Sequence, residues 1–355
     1  MSLMTASTQS YGDLTAQYGQ FLAPACQIKV DGKPLPQTIG VGQVIVSLSL
    51  DAASTVTFSV EGAYKPQNTA FDSSVKNIFK LGAKVVVSLG YGSDLLEIFQ
   101  GFIFGVGVSF GDSPTMNITA MDLRRLMMEG TAREEKHVVT TYSGAFEAVM
   151  ERYSSVCTAK EVTATDSDEI ASIVQRVSDY AFVKEVLANK ANREFFVLGD
   201  TAYFREKAAN KTPCVKLNWG EGLLNFSRNS LYQNIKITVL GFDSDNKEAI
   251  SADVTAKAGE SQTQVVSPNE TILVDSDAKE VAKAKKRAEK EAADRKAKAQ
   301  SGSGSSVGLP EIVPGRFITL GQLDDDLNGD YYITEVNHTF GNDGFTTDFQ
   351  IGGWT

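Results

Sequence analysis

Asp324, Asp326, Asn328 and Glu335 stand at the spacing with which oxygen ligands close on a divalent cation: Asp-x-Asp-x-Asn-Gly, five residues, then Glu. Carboxylates and an amide oxygen at alternate positions, a glycine for the sharp bend and a distal glutamate are hard donors that suit calcium. Such a loop needs a helix on each side to aim its ligands at one point. Here Phe317 to Leu320 and Tyr331 to Phe340 alternate as strands do, and Glu335 falls inside the second of them. An acidic hairpin loop is the expected reading, with calcium binding as the alternative.

Other chemistry is sparse. His137 and His338 are about 200 residues apart, so no local histidine metal cluster forms. His338 shares a face with Val336 and Phe340, which predicts a hydrogen-bonded structural ring. Gly105-x-Gly107-x-x-x-Gly111 has one residue too many for a dinucleotide fingerprint and lies within a β run, so these glycines are read as relief for sheet curvature. Neither a GxSxG nucleophile elbow nor a P-loop occurs. Carboxylates are numerous, but nothing marks two of them as a glycosidase pair. Trp219 and Trp354 are read as core or interface residues. No catalytic, cofactor-binding or metal-binding residue is therefore named, no cofactor is expected, and the chain is read as a non-enzyme.

A net charge of −10 over 355 residues opposes phosphate-backbone binding, which needs a clustered basic surface. Three widely spaced cysteines, Cys26, Cys157 and Cys214, fit reduced thiols better than a disulfide frame. The first 20 residues lack the basic and apolar regions of a signal peptide. The most apolar run, Leu95 to Phe110, is broken by Glu97, Gln100 and glycines, so it reads as a strand and not as a membrane span.

The elements follow from the periodicity. Asp31-Gly32 predicts a type I′ hairpin turn after a strand at Cys26 to Val30. Val44, Val46, Leu48 and Leu50, then Val56, Phe58 and Val60, alternate as half-buried strands. Beyond Asp122 the period lengthens. Ala145, Phe146, Val149 and Met150 predict a helix behind an expected N-cap at Ser143, and a second helix starts at Ser178. Glu161 to Asp168 is polar and expected to be exposed. Glu194 to Leu198 and Thr201 to Arg205 flank Gly199-Asp200 as a hairpin. Residues 275–300 form a helix rich in alanine and charge, with Ala284, Ala288 and Ala292 along one narrow face. It has no aromatic residue for base stacking, and acids are interspersed with its lysines, so a solvated structural helix is preferred over a nucleic-acid contact.

Residues 82–122 and 314–354 repeat one layout: a glycine before a first strand, a second glycine closing it, a long alternating strand, a Phe-Gly corner (Phe110-Gly111, Phe340-Gly341) and a last strand. The expected fold is mainly β with an α+β insert: two similar antiparallel β-barrels, a small α/β domain and one long charged helix. The expected domains are a flexible arm over 1–20, a first barrel over 21–125, the α/β domain over 126–210 and a second barrel over 211–355. The second barrel is interrupted by the charged helix near 275–300 and a Gly/Ser linker over 301–306.

The runs LGAKVVVSLGYG, LLEIFQGFI, NITAMD, VQRVSDYAFVKEVLANKANREFFVLGDTAYF, VLGFDSDNKEAISA, PGRFITLGQL, GDYYITEVNHTF and GFTTDFQI resemble, in that order, the phage late control protein D family. Its relatives include the N-terminal part of VgrG proteins and the baseplate hub proteins of contractile tails. The resemblance runs from about residue 20 to the end. It implies a homotrimeric hub of a contractile phage tail or tail-like injection system, in which two barrels per chain imitate sixfold symmetry. The implied partners are a hexameric tail tube protein, a trimeric spike and other baseplate proteins, without membrane insertion. The implied location is the bacterial cytoplasm during assembly, then the baseplate of the virion or tail-like particle. The sequence ends at Thr355 without the further barrel and β-helix of VgrG, so the spike is expected as a separate chain. A tail-associated peptidoglycan-degrading enzyme and a carbohydrate-binding β module are the alternatives.

Overall fold

The computed structural model describes residues 3–130, 134–165, 173–243, 246–257, 262–275 and 278–352. The chain divides into two compact units, residues 1–225 with 305–349, and residues 226–304 with 350–355.

Mainly β structure, expected from the alternating patterns, is what forms. Six strands close into a barrel: Pro213–Trp219, Gly222–Ser230, Gln300–Val307, Gly344–Gly352, Gly329–Gly341 and Phe317–Gly321, the last pairing back to the first. That closing pair is parallel, Val215 opposite Ile318 and Leu217 opposite Leu320, as is the short pairing of Asn218 and Trp219 with Gly222 and Leu223, while Phe317–Gly321 and Gly329–Gly341 run antiparallel. Closure leaves no sheet edge at this seam. The ladder does not stop there. Strand Gly329–Gly341 also pairs with Gly40–Ser49, from Glu335 opposite Ser49 to Phe340 opposite Val44. The sheet then continues through Thr55–Glu61, Thr115–Met121, Asp94–Ser109 and Lys84–Tyr91 to Pro24–Val30. Among the described residues this second run of six long strands curves without returning on its own first strand.

The repeated layout is real: Lys84–Tyr91, Asp94–Ser109 and Thr115–Met121 form one meander, and Phe317–Gly321, Gly329–Gly341 and Gly344–Gly352 the other. Asp31 and Gly32 both take positive φ (49° and 76°), as the type I′ turn requires. The glycine that the long strand needs is not one of the three in the near-fingerprint. A Cβ on Gly101 would sit 2.3 Å from the Met121 carbonyl oxygen, whereas one on Gly105 or Gly107 meets nothing closer than 3.8 Å.

Within the α/β part the helix Tyr142–Met150 is capped by Thr141, whose Oγ1 accepts from the Gly144 amide at 3.0 Å, and not by Ser143. Ser178 does cap its helix, which runs through a π segment, Phe182–Leu187, to a left-handed Asn192. These helices cover the hairpin Arg193–Leu198 and Thr201–Glu206, and Phe146 stacks on Phe204 at 4.7 Å. Of the polar stretch from Glu161 to Asp168, residues 161–165 are half-buried or exposed and 166–168 lie outside the described residues.

The N-terminal residues are not a loose arm: Met4, Leu14 and Tyr18 are buried, Tyr11–Gln17 is a helix with a capping box at Ser10, and Gln9–Ser10 pair with Val215–Lys216. Buried Arg316 holds the segment by donating to the carbonyls of Leu3, Ala6 and Thr212. The Gly/Ser run is not a linker either, because Gln300–Val307 is a barrel strand with Ser305 and Ser306 buried. Small side chains there let neighbouring strands close over them, and a Cβ on the following Gly308 would fall 2.0 Å from the Phe345 ring.

The second unit is a three-stranded sheet, Glu248–Lys257, Asn234–Asp243 and Asn269–Val274 in that order, with the helix Val281–Ala299 packed on one face. Ala284, Ala288 and Ala292 are all buried against Ile237 and Val239. Their i, i+4 spacing predicted this seam, and its shortness lets helix and sheet approach closely. The two outer strands carry polar residues at half of their positions and were not expected from the sequence.

Candidate interaction surfaces

The calcium-like motif does not assemble. Asp324 leads a single 3-10 turn, Asp325–Leu327, and Asn328 Oδ1 accepts from the Leu323 amide at 2.9 Å. Glu335 lies six residues along the next strand, about 20 Å from the turn at 3.3 Å per residue, and there accepts from Ser49 Oγ at 3.3 Å. No group of three or more metal-ligating side chains occurs among the described residues. Calorimetric titration with calcium should therefore give no saturable heat in the micromolar range; a stoichiometric isotherm would reverse this reading.

The remaining reactive groups are held as structure. His137 Nε2 meets Gln175 Oε1 at 3.0 Å and stacks on Phe182. His338 is fully buried with Nδ1 2.9 Å from Thr347 Oγ1, and desolvation lowers its pKa to about 3. Burial pushes the Cys26 and Cys214 thiols up to about 12, which removes thiolate character at neutral pH. Glu311 is buried, receives the Tyr18 hydroxyl at 2.5 Å and is pushed upward by desolvation. It lines neither of two cavities, of about 580 and 590 Å³; each of these holds a single carboxylate, Glu161 in one and Glu291 in the other. A paired-carboxylate site is not built in either.

Surface is where unexplained features gather. In the first unit, strand Asp94–Ser109 and the residue after it expose Phe104, Val108 and Phe110, the last to 65%. A register shift at Thr119/Ala120 turns Phe104 outward, where the Arg125 guanidinium lies over its ring at 4.2 Å. Phe110 meets Tyr64 and Phe71 edge to face. In the second unit, the sheet face turned from the helix exposes Leu240, Phe242, Ile272 and Val274. Beside them Lys236 pairs with Asp253 and Glu270. Trp219 is half exposed and so is not a core residue; Trp354 lies outside the described residues. Clustered exposed apolar side chains mark candidate sites of contact with other molecules. A signal for the first existed in the sequence: Ile103 and Phe104 are adjacent and apolar, so both faces of that strand are greasy where a half-buried strand needs only one.

No helix among the described residues is long and apolar enough to cross a membrane. The model of the family described as the Alg8 N-terminal domain matches residues 22–342. No curated protein matches. Among solved structures, a tail protein from Neisseria meningitidis MC58 is similar at TM-score 0.69 and 13% identity, over 93% of this chain and 97% of that one. The 43 kDa tail protein of prophage MuSo2 from Shewanella oneidensis is similar at TM-score 0.69 and 14% identity, over 93% and 98%. An E. coli component of the type VI secretion system, itself described as similar to bacteriophage T4 tail proteins gp27 and gp5, gives 0.59 and 11%, over 92% and 77%. At these identities the likeness is one of fold.

Proposed function

We propose that this chain, which belongs to the Alg8 N-terminal domain family, is a structural hub of a contractile tail or tail-like injection system, assembled as a homotrimer. One observation carries the reading: a single chain holds two copies of the same three-strand meander in one continuous sheet. Three such chains present six similar surfaces, which is what a threefold ring needs in order to meet a hexameric tube on one side and a trimeric spike on the other. The whole-length likeness in fold to tail proteins supports the same reading. The exposed Phe104, Val108 and Phe110 supply apolar area for a neighbour. The hub is non-enzymatic, is built in the bacterial cytoplasm and is carried in the baseplate. Its partners are the tube protein, a separate spike and other baseplate proteins.

The test is assembly. Light scattering or mass photometry of the full chain should give a species of three copies, seen as a ring by electron microscopy. A monomer at high micromolar concentration overturns the proposal, as does release of soluble cell-wall fragments from peptidoglycan by the purified chain.

A further inference from the structure

The helix Val281–Ala299 carries eight cationic side chains and three acidic ones, a surplus of five positive charges; the rest of a chain whose net charge is −10 therefore carries −15. Its alanine seam at 284, 288 and 292 faces the sheet. At 100° per residue, Lys283, Lys286 and Lys290 fall on the opposite face, in line along the axis. Lys283, Lys285, Lys286, Lys296 and Lys298 are exposed, and among the described residues none of these five forms an ion pair. In the first unit Asp325 and Asp326 stand exposed on the 3-10 turn, with Asp324 exposed at its cap and Asp330 exposed beyond it. Lys283 and Lys286, three apart on the helix, are separated by about 4.5 Å along its axis, and the four aspartates fall within one stretch of seven residues, 324–330.

We infer that the Lys283–Lys286 face of this helix docks on the Asp324–Asp326 turn of a second copy of this chain. The inference rests on the reading of the chain as a self-assembling subunit and names a contact within that assembly. Charge complementarity selects the partner: outside this helix the chain is strongly acidic, so another copy offers the counter-surface, while the helix lacks aromatic residues to stack on bases. Exposed ion pairs are individually weak and screened by salt. The contact therefore sets the orientation and rate of association more than its ultimate strength.

The experiment measures self-association of the full chain by sedimentation velocity between 50 and 500 mM sodium chloride. The apparent association constant should fall steadily with salt. Lys283→Glu with Lys286→Glu should weaken association at least tenfold at 50 mM, and Asp324→Lys with Asp325→Lys should do the same. Combining all four should restore it, since the pair is then reversed and not removed. Circular dichroism should show each variant folded, because all four side chains lie in solvent. A native chain that assembles while the lysine reversals change nothing overturns this contact and leaves the hub reading standing. Weakening by each pair without restoration by the combination also overturns it. So does binding of a duplex DNA fragment that the lysine reversals abolish while self-association is unchanged. A native chain that never associates overturns both.

Discussion

Arg124→Met is expected to lower the free energy of unfolding by about 3–5 kcal/mol, the cost of breaking a buried ion pair by deleting one partner. Arg124 is completely buried, with Nη2 2.6 Å from Asp122 Oδ2. Its guanidinium also donates to the Ser49 carbonyl at 2.8 Å and to Ser54 Oγ at 2.9 Å. Asp122 accepts as well from the Ser54 and Arg124 amides, each at 2.8 Å. One cation thus ties the turn between strands Gly40–Ser49 and Thr55–Glu61 to the start of the helix Leu123–Met128. Methionine fills most of the volume but leaves the buried Asp122 carboxylate without its cation, held by the backbone amides of residues 54 and 124. Adding Asp122→Asn should recover part of the loss, since a neutral amide costs less to bury than an unpaired charge. Urea unfolding of the single and double variants checks this. A loss under 1 kcal/mol for the single variant would show that the network is not what joins these segments.

The second large effect is with pH. His338 has an ordinary value of 6.5 when unfolded and is lowered to about 3 by desolvation in the fold. Above pH 6.5 the ring is neutral in both states and its contribution is fully present. As pH falls from there towards 3, the unfolded chain takes up a proton that the folded chain refuses, so stability drops by about 1.4 kcal/mol per unit. Between pH 7 and pH 5 the loss from this residue is about 2 kcal/mol. Glu311 acts in the opposite sense: burial raises its carboxyl, so the folded state gains as pH falls through that raised value. The contribution of His338 is therefore read as a difference. His338→Gln keeps a side chain able to reach Thr347 and cannot be protonated. The gap between native and variant stabilities should narrow by about 2 kcal/mol on going from pH 7 to pH 5. A gap independent of pH would mean that the ring is protonated, or reached by water, in the folded state.

Much of the β architecture was legible because strands reveal themselves through alternation, and Val56, Phe58 and Val60 are buried while the residues between them are not. The alanine seam was legible for the same kind of reason, a spacing that only a helix makes contiguous. What escaped notice depended on contacts distant in sequence. Arg124 and Arg316 look like surface cations until their acceptors are seen, and for Arg316 these are main-chain carbonyls that carry no sequence signal. The opening residues are small and polar, yet Met4, Leu14 and Tyr18 are buried. The serine and glycine run was misread because small residues serve a flexible linker and a crowded strand equally well. For the candidate surfaces the sequence offered only the adjacent apolar pair Ile103-Phe104, since exposure is decided by which strands fail to cover a face.

Strand Gly329–Gly341 takes part in three ladders at once, pairing with Phe317–Gly321 through Gly329 to Tyr332, with Gly40–Ser49 through Glu335 to Phe340, and with Gly344–Gly352. A pull along that strand is met by its rungs to Gly40–Ser49 in shear, sharing the force together, whereas a pull across it would unzip them one at a time. The strand also joins two halves of the sheet that are made from residues nearly 300 positions apart. Force entering at the closed barrel therefore passes to the open run through backbone hydrogen bonds and not through a loop that could stretch.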